Sequence, residues 1–438
     1  MVPSCNPSQV KPFSAPRAMA AFVSVQRSDQ ASFVFYFLQI IGRQSVNFIL
    51  ESGFMFDTGA KEFDVIICGA GPAGSTCALA LADSGLSVAV LEKSSFPRDK
   101  TCGDAVAAYV PKVLATINSA LTRSLEDFTE KVNVNTCRLV APNQKAFDLR
   151  FSQTGFISRR IDWDNFLFEN ASAQNNVAFF LNHTISDVAI TGDGVTVVAG
   201  NTEFKARIVI GCDGAHSVVN RKITGTRPDP AHHCGAVRAY YRNVSGIPDH
   251  TFEIHLVKDI LPGYFWIFPV KNNLANVGLG VLSAAISKRK MDLRTSLQKV
   301  VEEIPYISDR FKNAERVGKI EGFGLPLGSR KVPMSGDRLM LCGDAASLID
   351  PLSGEGIGQA IVSGRYAGWQ AKKCFDENNF SAGFMKQYDA QVYQKFWSRH
   401  RKNHFIQQLM NREWLLNGVF NAALRSRLIR NVISKSFT

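Results

Sequence analysis

No two cysteines in this chain form a CxxC pair, although there are nine, at Cys5, Cys68, Cys77, Cys102, Cys137, Cys212, Cys234, Cys342 and Cys374. That scatter excludes the usual zinc-ribbon and dithiol redox motifs. An odd count also leaves at least one thiol free, so a reducing compartment is expected. The adjacent His232, His233 and Cys234 cannot all turn toward one ion, and no distant ligand cluster accompanies them, so no metal is expected. A long apolar run is missing too. The best candidate, FVFYFLQIIGRQSVNFIL near the N-terminus, is broken by Arg43 and too short for a confident bilayer span. With 45% apolar and 20% charged residues, the composition is that of a globular protein rather than a disordered or membrane-spanning one.

Acidic residues are absent before Asp29 and sparse again at the other end. From position 386 to 438 there are ten Lys or Arg against only Asp389 and Glu413, so much of the net charge of +12 sits in this tail. Phe396, Trp397, Phe405, Trp414, Leu415 and Phe420 are interleaved with those charges. Such a mixture suits either an anionic membrane surface or terminal helices with a solvated basic face. Nucleic acid is not an expected partner, because no recognition module accompanies the charge. Residues 1–61, rich in Ser and Pro, allow three readings: a targeting peptide, a weak membrane anchor, or sequence upstream of a start at Met55, the last being preferred. A cytoplasmic location, with membrane association through the tail, is expected.

The chain has glycine where a strand must hand over to a helix. In FDVIICGAGPAGSTCALALADSGLSVAVLEK, Phe63 to Cys68 reads as a buried strand, Gly69, Gly71 and Gly74 form a GxGxxG turn around Pro72 and Ala73, and the Ala-rich run to Asp83 reads as a helix. One glycine permits the tight turn, one lets the backbone approach a pyrophosphate, and one lets helix and strand close together. The free N–H groups of the helix start face the phosphates. A second strand, Ser87 to Leu91, ends on Glu92 and Lys93, at roughly the 20-residue spacing of a ribose-binding acid. A dinucleotide site is expected, and this motif alone does not choose between FAD and NAD.

Two later stretches repeat the device of a strand ending in an acid. FKARIVIGCDGAHSVVNRK reaches Asp213 and Gly214. DRLMLCGDAASLIDPLSGEGIG reaches Gly343 and Asp344, then passes Pro351 and Gly354 to a helix starting at Gly356 and Ile357. With the GxGxxG turn, this set resembles the flavoprotein hydroxylase superfamily, typified by para-hydroxybenzoate hydroxylase. The resemblance implies FAD: the GxGxxG turn grips the ADP half, Asp344 accepts from a flavin-side hydroxyl, and Asp213–Gly214 lies between FAD and a pyridine nucleotide. It also implies that the helix after Gly356 aims its positive end at the pyrimidine edge of the flavin. In RRIDWDNFL, Arg160 and Asp164 match the superfamily's Arg-x-x-Phe-Asp pattern, with Trp163 in the aromatic place. Asn220 stands where an arginine usually follows the Asp-Gly motif, with Arg221 beside it.

FPRDKTCGDAV, from Phe96, resembles the Pro-Arg-x-Lys-x-Cys-Gly segment of the geranylgeranyl reductase family, and LPGYFWIFP, from Leu261, resembles that family's Tyr-x-Trp-x-Phe-Pro motif. The resemblance spans about Phe63 to Ala371. It implies an FAD-dependent oxidoreductase that reduces C=C bonds of a prenyl lipid or quinone, fed by NAD(P)H or another low-potential donor. Cys102 is then an expected general acid. Arg98, Cys102, Gly103 and Arg160 are expected beside the cofactor, and Arg98 with Lys100 can hold a phosphate. Tyr264, Trp266 and Phe268 alternate along an extended segment and project to one face, forming an aromatic wall for the prenyl chain. Tyr264 and Trp266 are counted with Cys102 as catalytic, and Pro269 joins the wall as a substrate contact. The segment also resembles the Trp-x-Trp-x-Ile-Pro motif of flavin halogenases, from which Tyr264 and Phe268 depart. An aromatic-ring monooxygenase is the alternative within the superfamily, and a non-catalytic flavin-binding protein is the alternative outside it.

The expected fold is α/β: a glutathione-reductase-type doubly wound FAD domain with an inserted β-sheet substrate domain and C-terminal helices. The FAD domain takes 62–132, 156–224 and 319–376. The substrate sheet takes a hairpin at 133–155 and the segment 225–318, and the basic helices take 377–438.

Overall fold

The runs VIIC, VAVL, IVIG and LML contain no polar residue to turn toward water, so each must be covered on both faces, as strands of a parallel sheet are. In the computed structural model, which describes residues 60–225 and 229–434, they pair side by side. Readings made on 1–59 lie outside the described residues. The order runs Leu339–Leu341, Ile208–Gly211, Val65–Cys68, Val88–Leu91, all parallel and buried. Val177–Phe180 extends the sheet in parallel at one edge, and Ser335–Gly336 closes the other edge in antiparallel. The register sets Cys68 level with Leu91 and Gly211, and Gly211 level with Leu341. Every strand-end motif therefore emerges on one rim, where open α/β sheets bind their ligands.

Helices close this sheet. Pro72–Ala80 lies against Arg160–Ser172 and against the 20-residue helix Ile357–Asp376. The latter approach is close because Gly364 has no side chain: a Cβ there would sit 2.2 Å from the Ala73 carbonyl oxygen. A small sheet of Lys61–Glu62, Thr202–Ala206, Gly194–Ala199 and Ile185–Thr191 flanks the domain.

The third sheet has eight strands, in the order Glu315–Pro326, His233–Arg242, Leu274–Leu282, Gly263–Val270, Thr251–His255, Val132–Val140, Ala146–Ile157, Ala105–Val106. It reaches beyond the segments assigned to it from sequence. Ala105–Val106 joins one edge, and Glu315–Pro326 carries the other edge to Pro326 before the chain returns to the dinucleotide domain. Alternation divides its residues. Phe265, Ile267, Val277 and Leu279 pack under helices Leu293–Glu303 and Pro305–Phe311, while Trp266, Phe268 and Ile254 belong to the opposite face.

The chain ends in helices Ala382–Leu409, Glu413–Arg425 and Arg427–Ser434. The last two cover the strand Ala146–Ile157, with the rings of Phe147 and Phe420 4.9 Å apart. Among the described residues, no helix is long and apolar enough to cross a membrane.

Candidate active site

The glycine turn is built as its residue types require. Gly69 has φ +99°, where a side chain is strained, and a Cβ on Gly74 would lie 1.8 Å from the Gly69 carbonyl oxygen. The helix Pro72–Ala80 starts with proline in its first turn behind Gly71, which offers no capping side chain, so its first N–H groups stay open to a ligand. Glu92 braces the turn: its carboxylate accepts from the N–H of Ala70 (2.9 Å) and from that of Ser94 (3.1 Å).

The other strand ends complete the rim. Asp213 accepts from the N–H groups of Val218 (2.7 Å) and Val219 (3.3 Å), and burial pushes its carboxyl above the usual range. Asp344, half-buried in the turn Gly343–Ala346, pairs with Lys100 Nζ at 3.0 Å. Asn220 donates to the Ala345 carbonyl at 2.7 Å and so ties these two motifs together, whereas Arg221 is exposed. His232 and His233 hydrogen-bond to different hydroxyls, those of Ser329 and Ser283. Among the described residues, no group of ligands could hold a metal ion.

The loop before Gly356 is held from the C-terminal side. Asp350 accepts from the N–H groups of Leu352 and Ser353, both at 2.9 Å, and from Asn403 at 2.8 Å. Arg399 bridges Asp350 (3.2 Å) and Glu355 (3.4 Å), and Gln407 donates to the Pro351 carbonyl (2.6 Å). Burial raises the affinity of Glu355 for a proton, against the pull of Arg399 and of the Tyr109 hydroxyl. Helix Ala382–Leu409 thus fixes the loop that leads into the N-terminus of Ile357–Asp376.

Across the rim, Arg160 grips Asp164 with two hydrogen bonds of 2.6 Å, both residues being buried, and Arg98 adds a third at 2.9 Å. Burial disfavours the Arg160 charge, yet the paired Asp164 carboxylate outweighs it and raises the affinity for the proton. A buried pair of this kind is costly when only one partner remains, because the survivor stays charged and dry. Cys102 lines the same cavity as Arg160 and lies near it. Next to it, the Gly103 position faces Phe268, 3.4 Å from where a Cβ would stand. Tyr264, Trp266 and Phe268 follow one another with ring centroids 6.0 Å apart. Tyr264 donates to the Ser353 carbonyl, and Trp266 Nε1 donates to Asn276 at 2.9 Å.

Of the residues selected from sequence, all but Gly74 and Pro269 line a single cavity of ≈ 900 Å³. Gly74 is closed onto backbone. Pro269 falls on the other parity of its strand, with Phe265 and Ile267, so the aromatic wall consists of Tyr264, Trp266 and Phe268. Asp104, Glu355, Arg399, Tyr240 and Asn276 were not singled out from sequence. Asp104 and Glu355 lay inside quoted motifs without being picked out, and the others are isolated polar residues in unremarkable surroundings.

A glycine turn with open amides at one end, an uncapped helix start at the other and an apolar wall between them fit an extended dinucleotide with a flat, electron-rich head. The fold and site are those of an FAD-dependent oxidoreductase, and the family model described as FAD binding domain matches residues 62–391. The chain is 30% identical over 351 residues to digeranylgeranylglycerophospholipid reductase 1 of Methanopyrus kandleri, covering 76% of this chain and 87% of that protein. It is 30% identical over 317 residues to menaquinone reductase of Mycobacterium tuberculosis, covering 69% and 75%. The crystal structure of a geranylgeranyl bacteriochlorophyll reductase-like protein from Thermoplasma acidophilum matches with a TM-score of 0.74 at 25% identity, over 83% of this chain and 91% of that one. This chain belongs to the geranylgeranyl reductase family of FAD-dependent oxidoreductases.

Proposed function

We propose that this enzyme reduces C=C bonds of a geranylgeranyl or other prenyl chain carried by a lipid or quinone. The observation that carries the reading is the position of the aromatic wall: Tyr264, Trp266 and Phe268 line the same cavity as Cys102 and the cofactor motifs. An isolated prenyl double bond offers nothing to a charged clamp, and a dry aromatic surface is what can hold it. The names of the relatives, which refer to a digeranylgeranyl phospholipid and a menaquinone, support the same substrate class.

Gly69, Gly71, Pro72 and Ala73 hold the pyrophosphate of FAD and Glu92 its ribose, with Lys93, Asp213 and Gly214 lining the way. Gly343 and Asp344 take the flavin-side hydroxyls, with Lys100 neutralising the carboxylate. Pro351, Gly354, Gly356 and Ile357 would present the N-terminus of the helix Ile357–Asp376 to the bound flavin, where a helix end favours the negative charge that builds up on reduction. The chemistry that bound FAD supplies, once reduced by NAD(P)H or another low-potential donor, is a hydride for one alkene carbon. Cys102 gives the other carbon its proton, and Arg160 steadies the thiolate left behind. Arg98 joins Arg160 in fixing Asp164, so Cys102 keeps one orientation.

The test is anaerobic. Chemically reduced enzyme mixed with dispersed geranylgeranyl phospholipid is expected to regain oxidised-flavin absorbance without oxygen. A flavin that stays reduced with prenyl lipids and reoxidises only when oxygen enters would favour a monooxygenase.

The substrate reaches the cavity from a membrane surface contacted by the terminal helices. Trp414 and Leu428 are 71% and 73% exposed, and Arg425, Arg427 and Arg430 accompany them. Exposed apolar side chains among arginines suit an anionic bilayer. The enzyme is expected to co-sediment with vesicles containing phosphatidylglycerol, and a Trp414→Glu, Leu428→Glu double variant is expected to stay in the supernatant with its flavin spectrum intact. Equal sedimentation of both proteins would refute the contact.

A further inference from the structure

Asp104 is a buried acid that the roles assigned above leave unused. It is 0% exposed, lines the same cavity as Cys102 two residues away, and holds φ at 67°, a conformation few non-glycine residues adopt. Backbone departures of this kind persist where surrounding structure enforces them, and here it does. Tyr240 donates its hydroxyl to Asp104 Oδ2 at 2.6 Å, and Asn276 Nδ2 donates to the same oxygen at 2.7 Å. Asn276 also donates to the Cys102 carbonyl at 2.8 Å and accepts from Trp266, so one amide locks acid, thiol loop and aromatic wall together. Oδ1 has no hydrogen-bond partner. A buried oxygen in that state is costly as a bare anion and far less so when it carries a proton.

The surroundings agree. Burial pushes the Asp104 carboxyl up to about 6, outweighing the opposing hydrogen bonds from Tyr240 and Asn276. The charged groups facing it are Arg238, on the same strand as Tyr240, and Asp99, which pairs with Arg238 at 2.7 Å. The first lowers the affinity for a proton and the second raises it.

We propose that Asp104 is the proton reservoir that recharges Cys102 between turnovers. The inference rests on Cys102 as the proton donor to the alkene. After that step Cys102 is a thiolate beside Arg160, and it must regain a proton while the lipid still fills the cavity they share. The O–H bond at Asp104 Oδ1 breaks and an S–H bond forms at Cys102, through a bridging water. Once the product leaves the cavity, Asp104 takes a proton from solvent, so the cycle balances without any further reactant. A carboxylic acid gives its proton readily to a thiolate, whose own affinity is ordinarily higher. Asp104 acts through Cys102 and so needs no contact with the substrate.

Asp104→Asn keeps the shape and both donated hydrogen bonds while removing the proton. The experiment uses the FAD-loaded enzyme, excess dithionite and geranylgeranyl phospholipid under argon. The first turnover of Asp104→Asn is expected within about 2-fold of the wild-type rate, since Cys102 starts protonated, while later turnovers fall by at least about 10-fold, the low end of what a positioned proton-transfer group contributes. The wild-type steady-state rate should decline as pH rises past about 6, and that limb should be missing in the variant. A second readout needs no turnover. Between about pH 4 and pH 6 the folded protein binds more protons at Asp104 than the unfolded chain does, so wild-type stability falls with rising pH, and Asp104→Asn should lose that slope. Wild-type cycling by a variant that has lost the slope would overturn the reservoir and leave Asp104 a structural acid. A first turnover slowed as much as the later ones would also overturn it. Cys102→Ser run in parallel separates the two claims: if its first turnover is unimpaired, the Cys102 reading fails and the reservoir with it.

Discussion

Gly74→Ala is expected to give protein that retains no flavin. The added Cβ would lie 1.8 Å from the Gly69 carbonyl oxygen and 2.9 Å from its carbonyl carbon, and neither can swing away as a side-chain tip could. Relief requires the strand Val65–Cys68 and the helix Pro72–Ala80 to separate. That shift moves Gly69 and the open helix amides out of line for a pyrophosphate. The strain lies at or above the upper end of the ~1–3 kcal/mol usual for overpacking, and it falls directly on the cofactor turn. The measurement is the flavin-to-protein absorbance ratio after desalting, with thermal unfolding followed alongside. Gly383→Ala is the control, since its nearest neighbour would be Ser381 Oγ at 3.9 Å, and it should stay loaded. A fully loaded Gly74→Ala protein would mean that the turn is not what holds FAD.

Cys102→Ser is expected to retain FAD yet slow the first reductive turnover by about 10²-fold or more, the range seen when a positioned proton donor is lost. Serine is close to cysteine in volume and keeps a hydroxyl near Arg160, but that hydroxyl is a far weaker acid than a thiol. Because the change leaves the aromatic wall intact, lipid binding should hold while the chemical step falls. Stopped-flow flavin absorbance under argon measures that step directly, and an unchanged first-turnover rate would remove Cys102 from the chemistry.

Much of this site could be read from the chain because each cofactor motif is local: an unbroken apolar strand, a glycine, an acid, then a helix. The parallel sheet delivers those ends to one rim. The alternation of Tyr264, Trp266 and Phe268 was legible for the same reason, as strand parity is a property of sequence, and that parity also excludes Pro269 from the wall. The remaining parts of the site depend on distant pairing. Asp104 meets Tyr240 and Asn276 across sequence separations of 136 and 172 residues, and Arg399 reaches back to Glu355 from a C-terminal helix that reads as merely basic. The small sheet beginning at Lys61–Glu62 escaped for another reason. Its strands carry charged residues such as Glu203 and Lys205, which blur the apolar pattern.

If this cavity turns a prenyl C=C bond into a single bond using the flavin's electrons, the recovered lipid must carry the change. One measurement tests it most directly: the mass of the lipid recovered after a single anaerobic turnover with reduced enzyme and a geranylgeranyl phospholipid. A gain of two hydrogens for each flavin reoxidised is the expected result. Recovery of unchanged lipid beside an oxidised flavin, or a product that has gained oxygen once air is admitted, would contradict it.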